Sequence, residues 1–445
     1  MSHDDRNIVI VGGGFAGTTL ARSLQRMRPE GHRVVLVSEE SYTTFNPMLA
    51  EVVGAAVFPE HVVAPIRQMM DSGDAGGQFI MGRAVRVDFE SRRIEARTLA
   101  GMHAIPYEHL VLAFGTRANL DLVPGLAQHA MPLKLVGDAM HIRNRVLQRV
   151  ARIELERDPV ERQRLGHFIV IGGGFSGVEV AGAIGDFLRS ALRYYPRVRP
   201  HELKVTVLQD ADRLLPELPE SLGLAATQSL RSREIAVRLK SRAARVAADG
   251  VTLASGEFVP GSTVICTIGT KPNPLADGLG VATERGRIET RADMSVEGAA
   301  NVWAIGDCAR VRNAATEQPA PPTAQFAVAQ AHAVARNIVA SIERRATEPF
   351  HHVSRGMMAT TGHLKGVAQV FGLRLTGLPA WMLWRAWYLL QMPTLGRKVR
   401  IFVEWTWSMF FPADITHLRF TRTDEADAPE RTSPFSAASP TSPTP

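Results

Sequence analysis

Asn7-Ile8-Val9-Ile10-Val11-Gly12-Gly13-Gly14-Phe15-Ala16-Gly17 decides the fold. Asn7 and then four apolar residues in a row, stopped by glycine, predict a strand buried on both faces, as strands of parallel sheets are. The glycines predict a turn into a helix that runs to about Met27, and Arg33–Val37 predicts the next strand. Strand, glycine turn, helix and strand open a doubly wound α/β domain. In such a turn Gly12 permits the sharp bend, Gly14 lets the backbone approach a pyrophosphate, and Gly17 lets the helix pack closely on the strand. The pyrophosphate is expected at the helix N-terminus, beside Phe15 and Ala16, where free N–H groups and the helix dipole favour negative charge. An acid at the end of the second strand takes a ribose hydroxyl. Glu39 stands there, with Glu40 as its competitor.

The pattern returns about 160 residues later. Phe168–Ile171 reads as a strand, Gly172–Gly177 as a glycine turn, Val178–Leu192 as a helix and Lys204–Leu208 as the following strand. Gly172, Gly174 and Gly177 repeat the three glycine roles. The ribose position is occupied by Gln209, with Asp210 beside it. A glutamine can bond a ribose hydroxyl but lacks the charge that repels a 2′-phosphate. NADH is therefore the favoured donor, with NADPH less firmly excluded. Two such units imply two nucleotide-binding domains and not a solenoid.

A chain of 445 residues has room for two or three domains, and its 45% apolar and 21% charged residues are ordinary for a globular protein. Only two cysteines occur, Cys266 and Cys308, and they form no C-x-x-C pair. That count excludes a disulfide framework and a thioredoxin-like dithiol, and it fits a reducing, cytoplasmic environment. Met1–Arg6 leads straight into the first strand, so no secretory signal is expected. No apolar stretch is long enough for a membrane-spanning helix. Residues 141–165 read as a helix and charged connector. From Thr423 onward the Ser, Pro, Ala and acidic residues predict disorder. No metal is expected.

Further motifs carry a resemblance. Val302-Trp303-Ala304-Ile305-Gly306-Asp307-Cys308-Ala309 resembles the last FAD-binding motif of two-dinucleotide flavoproteins. Leu112–Thr116 and Cys266–Pro272 look like their two crossings between domains. Within that superfamily the chain resembles the type II NADH:quinone oxidoreductases over about residues 6–420. The segments that carry this are Tyr42–Leu49, Pro322–Gln330 and Gly356–Gly366. The resemblance implies an α/β fold with two Rossmann-like dinucleotide-binding domains, the second inserted in the first. The implied division is 6–140 and 285–345 for FAD, 166–284 for NADH, and 350–420 for a C-terminal amphipathic-helix region on the membrane and quinone side. It implies that Asp307 holds the ribityl chain and that Asn46, Ala84, Gly115 and Ala324 line the FAD site. Gly269 joins the NADH side. Three residues are implied in catalysis: Glu179 at the nicotinamide–flavin contact, Gln325 beside flavin and quinone, and Lys365 near them. Each has a plainer reading: a helix-dipole carboxylate, a polar helix cap and a solvated charge.

Five of the six tryptophans lie between Trp381 and Trp407. The segment Leu378–Gln391 is apolar but too short, at about 1.5 Å per residue, to cross a core of about 30 Å. In the next segment Val399, Phe402, Val403, Met409 and Phe410 share one face, while Arg397, Arg400, Glu404 and Ser408 share another. Tryptophan and basic residues around an apolar face suit a helix lying in the plane of an anionic membrane. Trp381, Trp384 and Trp387 are expected as interfacial anchors. Arg374, Arg385, Arg397, Lys398 and Arg400 are expected to meet headgroups. The rival reading is a homodimer interface or core packing. Nucleic acid is disfavoured, because the basic residues are interleaved with large aliphatics. The expected activity is transfer of hydride from NADH to FAD and of electrons to a quinone, at the cytoplasmic face of the cell membrane. The alternatives are a reductase of ferredoxin or sulfide:quinone type, and a non-catalytic redox-sensing flavoprotein.

Overall fold

The computed structural model describes residues 6–70 and 77–418. The tail expected to be disordered from Thr423, and most of the N-terminal stretch read as lacking a signal, lie outside the described residues.

The opening run forms the strand Asn7–Val11, and all five residues are buried. It sits inside a seven-stranded sheet. On one side it pairs in parallel with Arg33–Ser38, Ile8 opposite Val34, and on the other with His109–Leu112, Ile10 opposite Val111. Gln78–Asp88 extends the parallel part beyond Arg33–Ser38, and an antiparallel pair, Arg93–Thr98 and Gly101–Pro106, follows it. The outermost strand beyond His109–Leu112 is Val302–Ala304, so the chain returns to this sheet after a long excursion. The helix Phe15–Met27 covers one face and packs against the later helix Ala324–Ile342.

The excursion builds a second sheet of five parallel strands, in the order Ala130–Pro132, Thr263–Cys266, His167–Ile171, Lys204–Leu208 and Ala236–Arg238. Helix Phe175–Ala191 follows its glycine turn as helix Phe15–Met27 follows the first. Helices Val136–Leu155 and Pro159–Leu165 form the connector into this sheet. Both crossing segments were read as separate motifs, yet they meet: Thr116–Ala118 and Thr270–Pro272 pair antiparallel, Lys271 opposite Arg117.

The C-terminal region is a three-stranded antiparallel sheet, Gly356–Gly362, Lys365–Val370 and Leu373–Thr376, followed by helices Leu378–Gln391 and Leu395–Phe410. Its first strand lies against helix Phe175–Ala191. A Cβ on Gly182 would stand 2.6 Å from the Thr361 carbonyl, so only glycine admits this approach. No helix among the described residues is long and apolar enough to cross a membrane.

The second C-terminal helix is amphipathic in an inverted sense. Ile401 and Trp405 face inward, with Arg397 and Glu404 partly covered beside them. Leu395, Val399, Phe402, Val403, Trp407 and Phe410 face outward and are all exposed. Two sequence expectations fail here. Trp381 and Trp384 are not interfacial; both are buried, Trp384 only 1% exposed. Arg385 is not at a surface either. Its guanidinium carbon lies 3.8 Å from the Trp381 ring centre and 4.8 Å from that of Trp405, inside the fold. The apolar run Leu378–Gln391 needed a core partner, and the hairpin beneath it supplied one.

Candidate active site

Both sheets turn the C-terminal ends of their parallel strands, with the glycine turns, toward one continuous cleft of about 1930 Å³. A pocket for one small ligand is typically about 300–1,000 Å³, so the cleft has room for more than one. From the first turn Gly12, Gly14, Phe15 and Ala16 reach its wall. Gly12 has φ +119°, and a Cβ there would stand 2.3 Å from the Ala113 carbonyl oxygen. Gly14 begins the helix with no side-chain cap and no acid in the first turn, so the first N–H groups are free to meet an anion. Gly17 is not on the wall. Its Cβ would collide with the Gly12 carbonyl at 1.9 Å, which is the close helix packing expected of it.

Glu39 and Glu40 both line the cleft. Glu39 accepts from Arg117 at 2.6 Å and lies 3.4 Å from Arg83, which fixes its carboxylate at the mouth. Asn46, Ala84, Gly115, Asp307, Ala324 and Gln325 are on the wall as well. No donor among the described residues bonds the Asp307 carboxylate, which leaves it for a ligand hydroxyl. The turn before it is braced by Gln330, a fully covered residue whose Oε1 accepts from the Gly306 N–H at 2.7 Å. Gln325 is held in turn, its Oε1 accepting from Ser354 Oγ at 3.1 Å. Neither Gln330 nor Ser354 was singled out from sequence. Gln330 stood inside a quoted motif, and Ser354 carries no local signal at all.

On the second sheet Gly174, Phe175, Ser176 and Glu179 line the cleft, and Gly174 again starts an uncapped helix. Gly172, Gly177, Gln209 and Gly269 are not on its wall. The Gln209 amide is engaged within its own loop: its Oε1 accepts from the Gly173 N–H at 2.8 Å, and its Nε2 donates to the Arg213 carbonyl at 3.3 Å. The residue expected at the ribose therefore braces the glycine turn.

Glu179 is a buried acid on the cleft wall. It stands one turn into its helix and is 8% exposed. The Thr360 N–H donates to its Oε1 at 3.1 Å, and Trp384 Nε1–H donates to the same oxygen at 3.0 Å. Burial outweighs both bonds and pushes its pKa up to about 8. Tyr388, raised by burial and by the nearby Glu179, packs edge-on against Trp384 at 4.7 Å and against Phe45 at 5.7 Å. Phe45 meets Phe15 at 5.5 Å. An aromatic chain thus runs from the first glycine turn to the C-terminal helix, whose Trp387, Tyr388 and Gln391 close the cleft. From sequence Trp384 was expected as an interfacial anchor, and Tyr388 was not singled out.

Lys365 is not brought to the cleft. It is exposed at the far end of the hairpin, opposite Gly362 in the register, where Asp186 and Arg233 lie. Cys266 and Cys308 are both free and buried. Burial raises the Cys308 thiol to about 12, so it stays protonated.

Residues 6–331 match the family model described as pyridine nucleotide-disulphide oxidoreductase. The type II NADH:quinone oxidoreductase NdhA of Mycobacterium tuberculosis is 28% identical over 419 residues, covering 91% of this chain and 87% of the relative. The demethylphylloquinone reductase NdbB of a Synechocystis species is 28% identical over 406 residues, covering 89% and 95%. Among solved structures, NDH2 from Plasmodium falciparum in complex with NADH superposes with a TM-score of 0.86 at 16% identity, covering 93% of this chain and all of that one. The family match takes in both glycine turns, both crossings and the Asp307 motif. On that extent the chain belongs to the pyridine nucleotide-disulphide oxidoreductase family.

Proposed function

We propose that this protein is an FAD-dependent NADH:quinone oxidoreductase that works as a peripheral enzyme at the cytoplasmic face of a membrane. The observation that carries the reading is the continuity of the cleft. It joins two uncapped helix N-termini, one per sheet, to a wall formed by Gln325 and by Trp387, Tyr388 and Gln391 of the C-terminal helix. The similarity to type II NADH:quinone oxidoreductases along about nine-tenths of the chain supports the same acceptor. The proposed division assigns residues 6–140 and 285–345 to FAD, 166–284 to NADH, and 350–420 to the quinone and membrane side.

FAD and NADH, when bound, supply the hydride transfer and the onward passage of electrons. The chain supplies position and proton control. The N–H groups after Gly14 receive one pyrophosphate and those after Gly174 the other. Glu39, fixed by Arg117, and Asp307, fixed through Gln330, receive ribose and ribityl hydroxyls. Glu179 holds a proton at neutral pH. Both protein donors fall on Oε1, so that proton belongs on Oε2, available to a group in the cleft. Gln325, oriented by Ser354, sits on the acceptor side. Lys365 has no part in this reading. A family built around a disulfide commonly relays electrons through paired thiols, but neither cysteine here can do so, because each is buried and alone. This favours a quinone over a sulfide or disulfide acceptor.

The purified protein is expected to be yellow, and anaerobic NADH should bleach it faster than NADPH does. A water-soluble quinone should then restore the colour within a turnover. Stopped-flow absorbance separates the two half-reactions. Restoration by a ferredoxin but not by quinone would replace this reading with the ferredoxin reductase.

Binding to an anionic membrane is the second part of the proposal, and the outward row of the last helix supports it. Burying each of Phe402, Trp407 and Phe410 in the interface is worth about 1.5–3 kcal/mol. Serine at all three positions should weaken partition onto anionic vesicles by ~100-fold or more. Flotation at two salt concentrations measures it. Unchanged partition would assign the exposed row to a partner chain, which makes a homodimer the competing account.

A further inference from the structure

The structure assigns a divalent-cation site to His32, Glu108 and His109, at the end of the first sheet opposite the glycine turns. One ligand atom from each lies within 4.8 Å of the others. His32 precedes the strand Arg33–Ser38, and Glu108 and His109 open the strand His109–Leu112. These two strands flank Asn7–Val11 on either side, so a bound ion would tie them together across it.

The hydrogen bonds argue for a cation at this point. His32 Nδ1 is 2.7 Å from the Glu30 carbonyl oxygen. A carbonyl only accepts, so Nδ1 carries the hydrogen, and in the neutral ring Nε2 presents a lone pair. That lone pair faces Glu108 Oε2 at 3.2 Å. Two acceptors this close need a positive charge between them, either a proton on Nε2 or a metal ion. His109 tips the choice. It is 2% exposed, its Nδ1 has no partner among the described residues, and its ring centre is 6.2 Å from that of His32. A hydrogen bond from one imidazole nitrogen to a backbone carbonyl is also how metal-bound histidines are commonly oriented.

Two imidazoles and one carboxylate suit zinc, with the fourth tetrahedral position left to water on the half-exposed side. Zinc–ligand distances of about 2.0–2.2 Å require the three groups to close slightly from their present spacing. The site is remote from the cleft, so its role is to clamp the sheet and not to assist chemistry.

The test uses the full-length, tag-free protein, stripped with a chelator and titrated with zinc chloride by calorimetry. Metal content is counted by mass spectrometry. One zinc per chain is expected, together with a zinc-dependent rise in the thermal midpoint. Glu108→Gln, at a side chain 28% exposed, and His32→Ala, at one 5% exposed, should weaken zinc binding at least about tenfold and abolish the thermal effect. His109→Ala should do the same, and if it folds poorly the other two variants decide. Equal affinity in His32→Ala would mean that zinc sits on other histidines. Absence of zinc binding in the parent protein would leave only an imidazolium–carboxylate pair. Either result overturns the assignment.

Discussion

A chain ended at Gly377 is expected to fail as a folded protein, not merely to leave the membrane. The two helices it lacks bring Ala380, Trp384, Met392, Ile401 and Trp405 into the same core as helix Phe175–Ala191, and they carry the buried Trp381 as well. Truncating a buried tryptophan typically loses about 3–5 kcal/mol. Three of them together approach the whole stability of a typical domain, about 5–15 kcal/mol. Polar loss follows as well. Trp384 no longer bonds Glu179, Arg385 and Trp405 no longer meet Glu51, and Glu404 no longer meets His61 at 2.8 Å. The expected product is aggregated or colourless, with no cooperative melting transition in calorimetry. A soluble, yellow, cooperatively melting truncation would show that the helices are a detachable anchor, as composition alone suggested.

Glu179→Gln is expected to make the protein more stable, and increasingly so as pH rises. The sign follows from the direction of the shift. The unfolded carboxyl titrates near its ordinary value of 4.5, and the folded one near 8. Between these values the unfolded chain has released a proton that the folded chain keeps. Folding therefore loses about 1.4 kcal/mol of stability per pH unit across the window, ~5 kcal/mol in all. Below pH 4.5 the group is neutral in both states and contributes no pH dependence; above pH 8 the loss is complete. Glutamine is neutral throughout, and its carbonyl can accept the same two bonds from Thr360 and Trp384. Urea midpoints for parent and variant should coincide near pH 4.5 and separate up to pH 8. Parallel curves would place Glu179 in the ordinary carboxylate range and remove the case for a proton held on Oε2.

The parts of this molecule that were legible in the sequence are those governed by short-range rules. A four-residue apolar run ending at Gly12, repeated at Gly172, specified two sheets built around parallel strands and the end of each where ligands gather. Phe15 and Gly14 followed from the same local logic, whereas Asp307 was implied only by the resemblance. What stayed hidden depends on which distant segments touch. Gln209 sits at a ribose position by count, but its amide is drawn into its own loop by Gly173 and Arg213. Lys365 sits in a suggestive motif, but the hairpin register turns it away from the cleft. Trp381 and Trp384 have the composition of a membrane belt and the burial of a core. No spacing rule distinguishes those outcomes, because both need a large apolar ring with a polar edge. The difference lies in a carboxylate some 200 residues earlier that needed a donor.

The paired crossings constrain how this protein can move. Two independent single-stranded linkers would let the nucleotide halves rock and twist in any direction. Thr116–Ala118 and Thr270–Pro272 are instead zipped together, and Lys271 and Asp121 add an ion pair at 2.5 Å. The connection is therefore a ribbon, which flexes readily across its flat face and poorly within its plane. Relative motion of the two halves reduces to a single swing, like a door on one long hinge. The C-terminal helices bridge the free edge of that door, through Trp384 on one half and the contact of Tyr388 with Phe45 on the other. A nucleotide that comes and goes must then do so along the cleft, past a door held at both edges.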